Sequence, residues 1–174
     1  MPARNNTKWK QVPGQLKAGE YVSSKIYSDE KIFKQEMKKI FSKVWVPVCH
    51  ESELPEPDRF RTTTIAGVPI LVVRDSEGEI HALANTSERR PSGKIEKEVG
   101  FLDVPDYLHC DIKFGGFVWV TLNDNPPTME EWVDGSFDCM KESLNAEPLD
   151  VFHYHKAIIP CNYKLWHDTN SEFY

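Results

Sequence analysis

Apolar residues recur at helical spacing in only one long stretch of this chain. Phe33, Met37, Ile40, Phe41 and Val44 follow one another mostly at steps of three and four, which lays one apolar stripe along a helix. Ser28 suits its N-cap, and Asp29 and Glu30 suit the positive end of its dipole, so one helix is expected over about residues 29–43. From Trp45 the pattern changes to that of strands. Trp45 to Val48 is a short apolar run, Phe60 to Ile65 is β-branched and ends at Ala66-Gly67, and Val68 to Arg74 is strongly β-forming. Asp75-Ser76-Glu77-Gly78 reads as a turn, with Ile80 to Asn85 returning as the partner strand. Three strands joined by short turns make an antiparallel sheet. Pro69 falls near a strand start, where a missing N–H is tolerated.

The remaining segments fill in around this sheet. Residues 1–27 are polar and irregular, an extended arm that needs a partner surface. Residues 86–100 are polar and punctuated by Pro91 and Gly93, as a loop would be. Tyr107 to Phe114 and Phe117 to Leu122 predict another hairpin about Gly115-Gly116. Thr128 caps a short helix through Met129 to Val133, a second helix is expected near Phe137–Leu144, and Val151 to Ile159 is expected as the last strand.

Composition narrows the class. The 174 residues suffice for one domain with a core, or one domain and part of another. A net charge of −6 speaks against nucleic acid or an anionic membrane as partner. No apolar run approaches the roughly 18 residues of a membrane span. The first ten residues have no apolar core of a signal peptide, so a cytoplasmic protein is expected. Cys49, Cys110, Cys139 and Cys161 are scattered, with neither a disulfide framework nor a Cys-x-x-Cys pair.

Asn162-Tyr163-Lys164-Leu165-Trp166-His167-Asp168-Thr169-Asn170-Ser171-Glu172-Phe173-Tyr174 carries the most specific signal. It resembles the N-W-K-L-x-x-E-N-x-x-D-x-Y-H-x-x-x-x-H signature of Rieske non-haem iron oxygenase α subunits. In that register Asp168 stands for the family Glu, Thr169 for the Asn, Glu172 for the bridging Asp and Tyr174 for the Tyr. The next position of the signature would be the first iron histidine. Earlier segments agree. Trp45 to Pro55, with Cys49-His50-Glu51-Ser52-Glu53-Leu54, is similar to the family's entry into its Rieske domain. Ile65 to Asn85 is similar to the hairpin before the cluster, and Gly115-Gly116-Phe117-Val118-Trp119-Val120 to the strand after it. The wording from Leu165 to Glu172 resembles the methanesulfonate monooxygenase-like branch.

The resemblance implies an α+β fold, mainly antiparallel β: a Rieske-like framework with an N-terminal helix and the start of a catalytic-domain helix. It divides the chain into an N-terminal arm and helix (1–44), a Rieske-like β domain lacking its cluster-binding loops (45–125) and the beginning of a catalytic domain (126–174). It implies an oxidoreductase that, in complete form, hydroxylates a small organic substrate with O2. Electrons would pass from a [2Fe–2S] cluster to a mononuclear Fe(II). A ferredoxin or reductase would supply them, and the subunits would form a trimer-based homo-oligomer. Glu172 and Asp168 are the candidate catalytic residues, with Glu172 in the place of a carboxylate that bridges two iron-ligating histidines.

The metal ligands themselves do not follow. A Rieske cluster takes two thiolates and two imidazoles, which the family delivers as Cys-x-His and Cys-x-x-His. After Asn85 the sequence reads Thr86-Ser87-Glu88-Arg89-Arg90-Pro91, and neither spacing occurs anywhere in the chain. Cys49-His50 and His109-Cys110 are adjacent pairs whose side chains leave a strand on opposite faces, as framework residues do. His153-x-His155 would share one strand face but lacks a third ligand. No residue is therefore assigned to cofactor or metal, and the chain's own catalysis stays undecided. Either ligand-bearing segments are missing from this sequence, which the Arg89 to Gly93 remnant favours, or the protein is a shortened relative. The alternative function is a non-catalytic β-domain acting as an assembly or binding module.

Overall fold

The computed structural model describes residues 23–85, 107–138, 143–144 and 147–171. Contacts divide the chain into two units, one of Phe33–Ile158 and one of the chain's two ends, up to Ile32 and from Ile159 onward. The larger unit is built on a six-stranded sheet. Its strands are β1 (Val46–His50), β2 (Phe60–Ile65), β3 (Val68–Arg74), β4 (Ile80–Ala84), β5 (Tyr107–Lys113) and β6 (Phe117–Thr121). All neighbours pair antiparallel in the spatial order β1-β6-β5-β4-β3-β2. The mainly antiparallel β framework with a few helices is the fold class the sequence implies.

Side-chain alternation explains the meander. Val68, Ile70 and Val72 of β3 are fully buried, while the residues between them face outward in part. Ala82 and Ala84 of β4 pair with Val72 and Ile70, and Val118 and Val120 of β6 add two more closed positions. All of these but Ala84 join Leu54, Ile65, Leu108 and Leu122 in one apolar core, each large aliphatic contributing about 1.5–3 kcal/mol. β2 turns into β3 through two residues, Ala66 and Gly67, both at positive φ, the conformation a tight hairpin needs. β1 carries an irregularity that the sequence does not announce. Pro47 faces Trp119 and Cys49 faces Val118, so Val48 is an extra residue and the strand bulges. Pro47 is tolerated because β1 lies at the sheet edge.

The helices depart from expectation in instructive ways. The helix expected over 29–43 is α2 (Glu30–Glu36), which runs straight on into a widened π turn over Met37–Phe41, and a separate α1 (Lys25–Ser28) precedes it. Ser28 closes α1, and Asp29 does the capping, its Oδ1 accepting the Lys31 N–H at 2.8 Å. The π turn is fixed where the Ser42 N–H donates to Met37 O at 3.0 Å. α3 (Met129–Val133) begins as expected. Thr128 accepts the Glu131 N–H at 3.2 Å while the Glu131 carboxylate accepts the Thr128 N–H at 3.0 Å. Of the second helix expected over 137–144, Phe137 lies in a turn, Ser143 and Leu144 are helical, and 139–142 fall outside the described residues.

The last expected strand, Val151 to Ile159, is not a strand. The segment runs without ladder bonds and stays exposed, with Phe152 wholly uncovered and Ile158 92% exposed. An alternating pattern records a preference for a half-buried pleated surface, and this segment is exposed instead of lying in one. In the smaller unit, α4 (Tyr163–Ser171) starts at Asn162, whose Oδ1 accepts the Lys164 N–H at 3.1 Å. Among the described residues no helix is long and apolar enough to cross a membrane.

Candidate functional site

The adjacent Cys–His pairs take framework roles. His50, at the end of β1, is 4% exposed. Its Nε2–H donates to Gly115 O at 2.6 Å, and its Nδ1 accepts the Ser52 N–H at 3.2 Å. That pairing fixes the tautomer and leaves neither nitrogen for a metal. The ring also meets Phe117 edge-on at 5.3 Å. Cys49 and Cys110 pack against the core. Burial pushes the Cys49 thiol up to about 12, helped by the Glu53 carboxylate, and the Cys110 thiol up to about 11. Desolvated thiols of this kind belong to the packing of the sheet. His109 turns its Nε2 to the carbonyl of Asp124 at 3.2 Å.

A polar seam joins the two edge strands. Glu53, in the 3-10 turn Glu51–Glu53, pairs with Arg61 of β2 and accepts the His50 N–H at 2.9 Å. Arg61 lies over the Tyr154 ring at 5.7 Å, and the Val151 N–H donates to Ser52 Oγ at 3.0 Å. Sequence reasoning missed this seam, because its partners come from three separate segments. His153 and His155, expected on one strand face, are exposed on the irregular segment beyond it. At the β5–β6 turn lies a cleft of about 860 Å³ lined by Glu51, Phe114, Gly116, Glu130, Phe137 and Leu149, among others. Lys113 and Glu130 pair across its rim at 2.9 Å.

In the smaller unit, Asp168 is the sequence-nominated residue that can be placed. The Tyr27 hydroxyl donates to its Oδ2 at 2.5 Å, and Asn162 Nδ2 donates to Tyr27 O at 3.1 Å. Asp168 thus ties α4 to the segment of α1. The second nominee, Glu172, lies outside the described residues.

Comparison with known proteins gives the arrangement its context. The Rieske [2Fe-2S] domain family matches residues 44–89. The α subunit of methanesulfonate monooxygenase hydroxylase from Methylosulfonomonas methylovora is 44% identical over 220 aligned positions, covering 100% of this chain and 53% of the relative. The α subunit of 2-aminobenzenesulfonate 2,3-dioxygenase from an Alcaligenes species is 28% identical over 198 positions, covering 93% and 50%. Among solved structures, the quaternary ammonium Rieske monooxygenase CntA superposes with a TM-score of 0.54 at 20% identity, over 68% of this chain and 43% of that one. Naphthalene 1,2-dioxygenase gives a TM-score of 0.55 at 18% identity, over 68% and 34%. The chain spans about half the length of the curated relatives it matches. The first alignment runs to 220 positions against 174 residues here, so that relative carries internal segments with no counterpart in this chain.

The family implies a [2Fe–2S] cluster and a mononuclear iron, and the residues present do not fit either. Neither Cys-x-His nor Cys-x-x-His occurs in the sequence. Among the described residues, no three His, Cys, Asp or Glu side chains gather closely enough to hold a metal ion. The buried imidazole and both core thiols are committed to the framework. Fold, element order and the match across the full length nevertheless agree: this chain belongs with the Rieske oxygenase α subunits, whose Rieske-domain framework it carries without the cluster ligands.

Proposed function

We propose that the chain is the Rieske-side part of an oxygenase large subunit that, in complete form, hydroxylates a small organic sulfonate with molecular oxygen. The 44% identity to the methanesulfonate monooxygenase hydroxylase α subunit carries this reading. The second relative is also named for a sulfonate, which makes that headgroup the shared feature of the two names. The three-part division 1–44, 45–125 and 126–174 belongs to the proposal, with Glu172 and Asp168 as catalytic residues of the complete protein. A ferredoxin or reductase serves as electron donor, in a cytoplasmic, trimer-based homo-oligomer. One solved relative is described with inter-subunit electron transfer, which supports that assembly.

Oxygen uptake by the protein purified from its source tests the reading, with an electron donor and either methanesulfonate, an aminobenzenesulfonate or their carboxylate analogues. Sulfonate-dependent uptake is expected. Uptake with the carboxylates alone would remove the substrate class, and no uptake from iron-loaded protein would remove the oxygenase. The second reading, a non-catalytic assembly module, is favoured by the internal segments this chain lacks. A purified protein free of iron and acid-labile sulfide supports the module.

A further inference from the structure

We infer that the β framework of this chain folds without an iron–sulfur cluster and takes none up. The inference rests on the family reading for the cluster's identity but not on any activity. Three observations carry it.

The first is the ligand inventory. The chain's four cysteines and six histidines never fall at the spacings a Rieske centre uses. Residues 86–106, which connect β4 to β5, contain neither cysteine nor histidine. The second is the commitment of the cysteines and histidines that lie on the sheet. His50 spends both ring nitrogens on the Gly115 carbonyl and the Ser52 amide. His81 turns to Asp75 at 2.6 Å, and His109 to the Asp124 carbonyl. Cys49 and Cys110 lie among apolar side chains, and Cys161 belongs to the other unit.

The third is closure of the framework where the ligand segment should hang. β4 and β5 pair through Ala82 with Leu108 and Leu83 with Tyr107. Just beyond, the Asn85 N–H donates to Pro69 O at 2.8 Å. Among the described residues, the main apolar cluster comes from the strands and from Leu54 and Leu122. Small metal-dependent domains draw their folding energy from the bound metal. Here burial of aliphatic side chains supplies it, from residues on strands that are already paired.

The test uses the 174-residue chain, made in iron-limited medium and then incubated anaerobically with ferrous iron, sulfide and a thiol reductant. The methanesulfonate monooxygenase α subunit, treated alongside, is the positive control. Iron, acid-labile sulfide and the EPR spectrum after dithionite reduction are measured on desalted protein. Urea unfolding is followed by tryptophan fluorescence, with and without EDTA. The expected result is no iron or sulfide above background, no cluster EPR signal, and one cooperative unfolding transition whose midpoint EDTA does not move. Stoichiometric iron and sulfide with a reduced-cluster signal would overturn the inference. So would a chain that unfolds cooperatively only after reconstitution, or one that refolds from urea under neither condition. Sulfonate-dependent oxygen uptake by the protein from its source leaves the inference standing, since that readout concerns the complete form.

Discussion

Gly116 sits at φ +95°, where a Cβ would stand 2.7 Å from Nε2 of the buried His50 and 2.6 Å from Glu51 Oε1. Glu51 can swing away, but the imidazole is held on both sides. Gly78 has a similar φ of +92° and open space around it. Both Gly→Ala changes carry the left-handed penalty of about 1–2 kcal/mol. Gly116→Ala adds a collision of about 1–3 kcal/mol, so its urea midpoint should fall clearly below that of Gly78→Ala. Equal losses would refute a rigid His50. The thiols give a second prediction at this scale. Near pH 8, iodoacetamide should label the exposed Cys161 well before Cys49 and Cys110, which react once the chain is unfolded, as peptide mass mapping would show. Their raised values also set a pH dependence. The protonated thiols favour the fold fully below the ordinary 9.0, and that contribution is lost as pH climbs towards 11 and 12. The urea midpoint should therefore drop between pH 9 and 11.

At the scale of elements, the reciprocal bonds of Thr128 and Glu131 start α3, and Thr128→Ala should cost about 1 kcal/mol, read from denaturant curves. Loss of only a tenth or two (roughly) would mean that tertiary contacts alone hold the helix. That cap was legible because its residues lie three apart in sequence. The β2–β3–β4 meander was legible for the same reason, its turns being short and its pattern alternating. What escaped was non-local. β1 pairs with β6 across most of the sheet's sequence, and its bulge at Val48 depends on that partner. Val151 to Ile159 has the alternation of a strand but joins no ladder. Tyr27 and Asp168 lie 141 residues apart, so no local pattern foretold that the nominated acid holds a tyrosine. The Glu53–Arg61 pair is equally hidden. Glu53 is nearly buried and Arg61 half exposed, so a double-mutant cycle of Glu53→Gln and Arg61→Ala should give a coupling of about 1–2 kcal/mol. A coupling near zero would show that the edges of the sheet meet through packing alone.

For the molecule as a whole, the exposed segment beyond Asp150 is where the described chain is least protected. Trypsin should cut after Lys156 before it cuts at Arg61 or Arg74 of the strands, as timed digestion and mass spectrometry would reveal. Earlier cleavage within β2 or β3 would mean that the sheet opens more readily than its burial suggests. The framework is held differently about the junction of β4 and β5. β4 makes five register pairs with β3, and β5 makes five with β6, so each strand is anchored on its far side. Among the described residues they pair through Ala82 with Leu108 and Leu83 with Tyr107. The strand ends that carry the connection between Asn85 and Tyr107 are therefore each held by a neighbouring strand. Doubling the length of such a connection costs only about 0.6 kcal/mol of closure entropy. Lineages could shed or acquire whole segments there without refolding the sheet, and a foreign peptide grafted into the same place would inherit a ready-made, rigid mount.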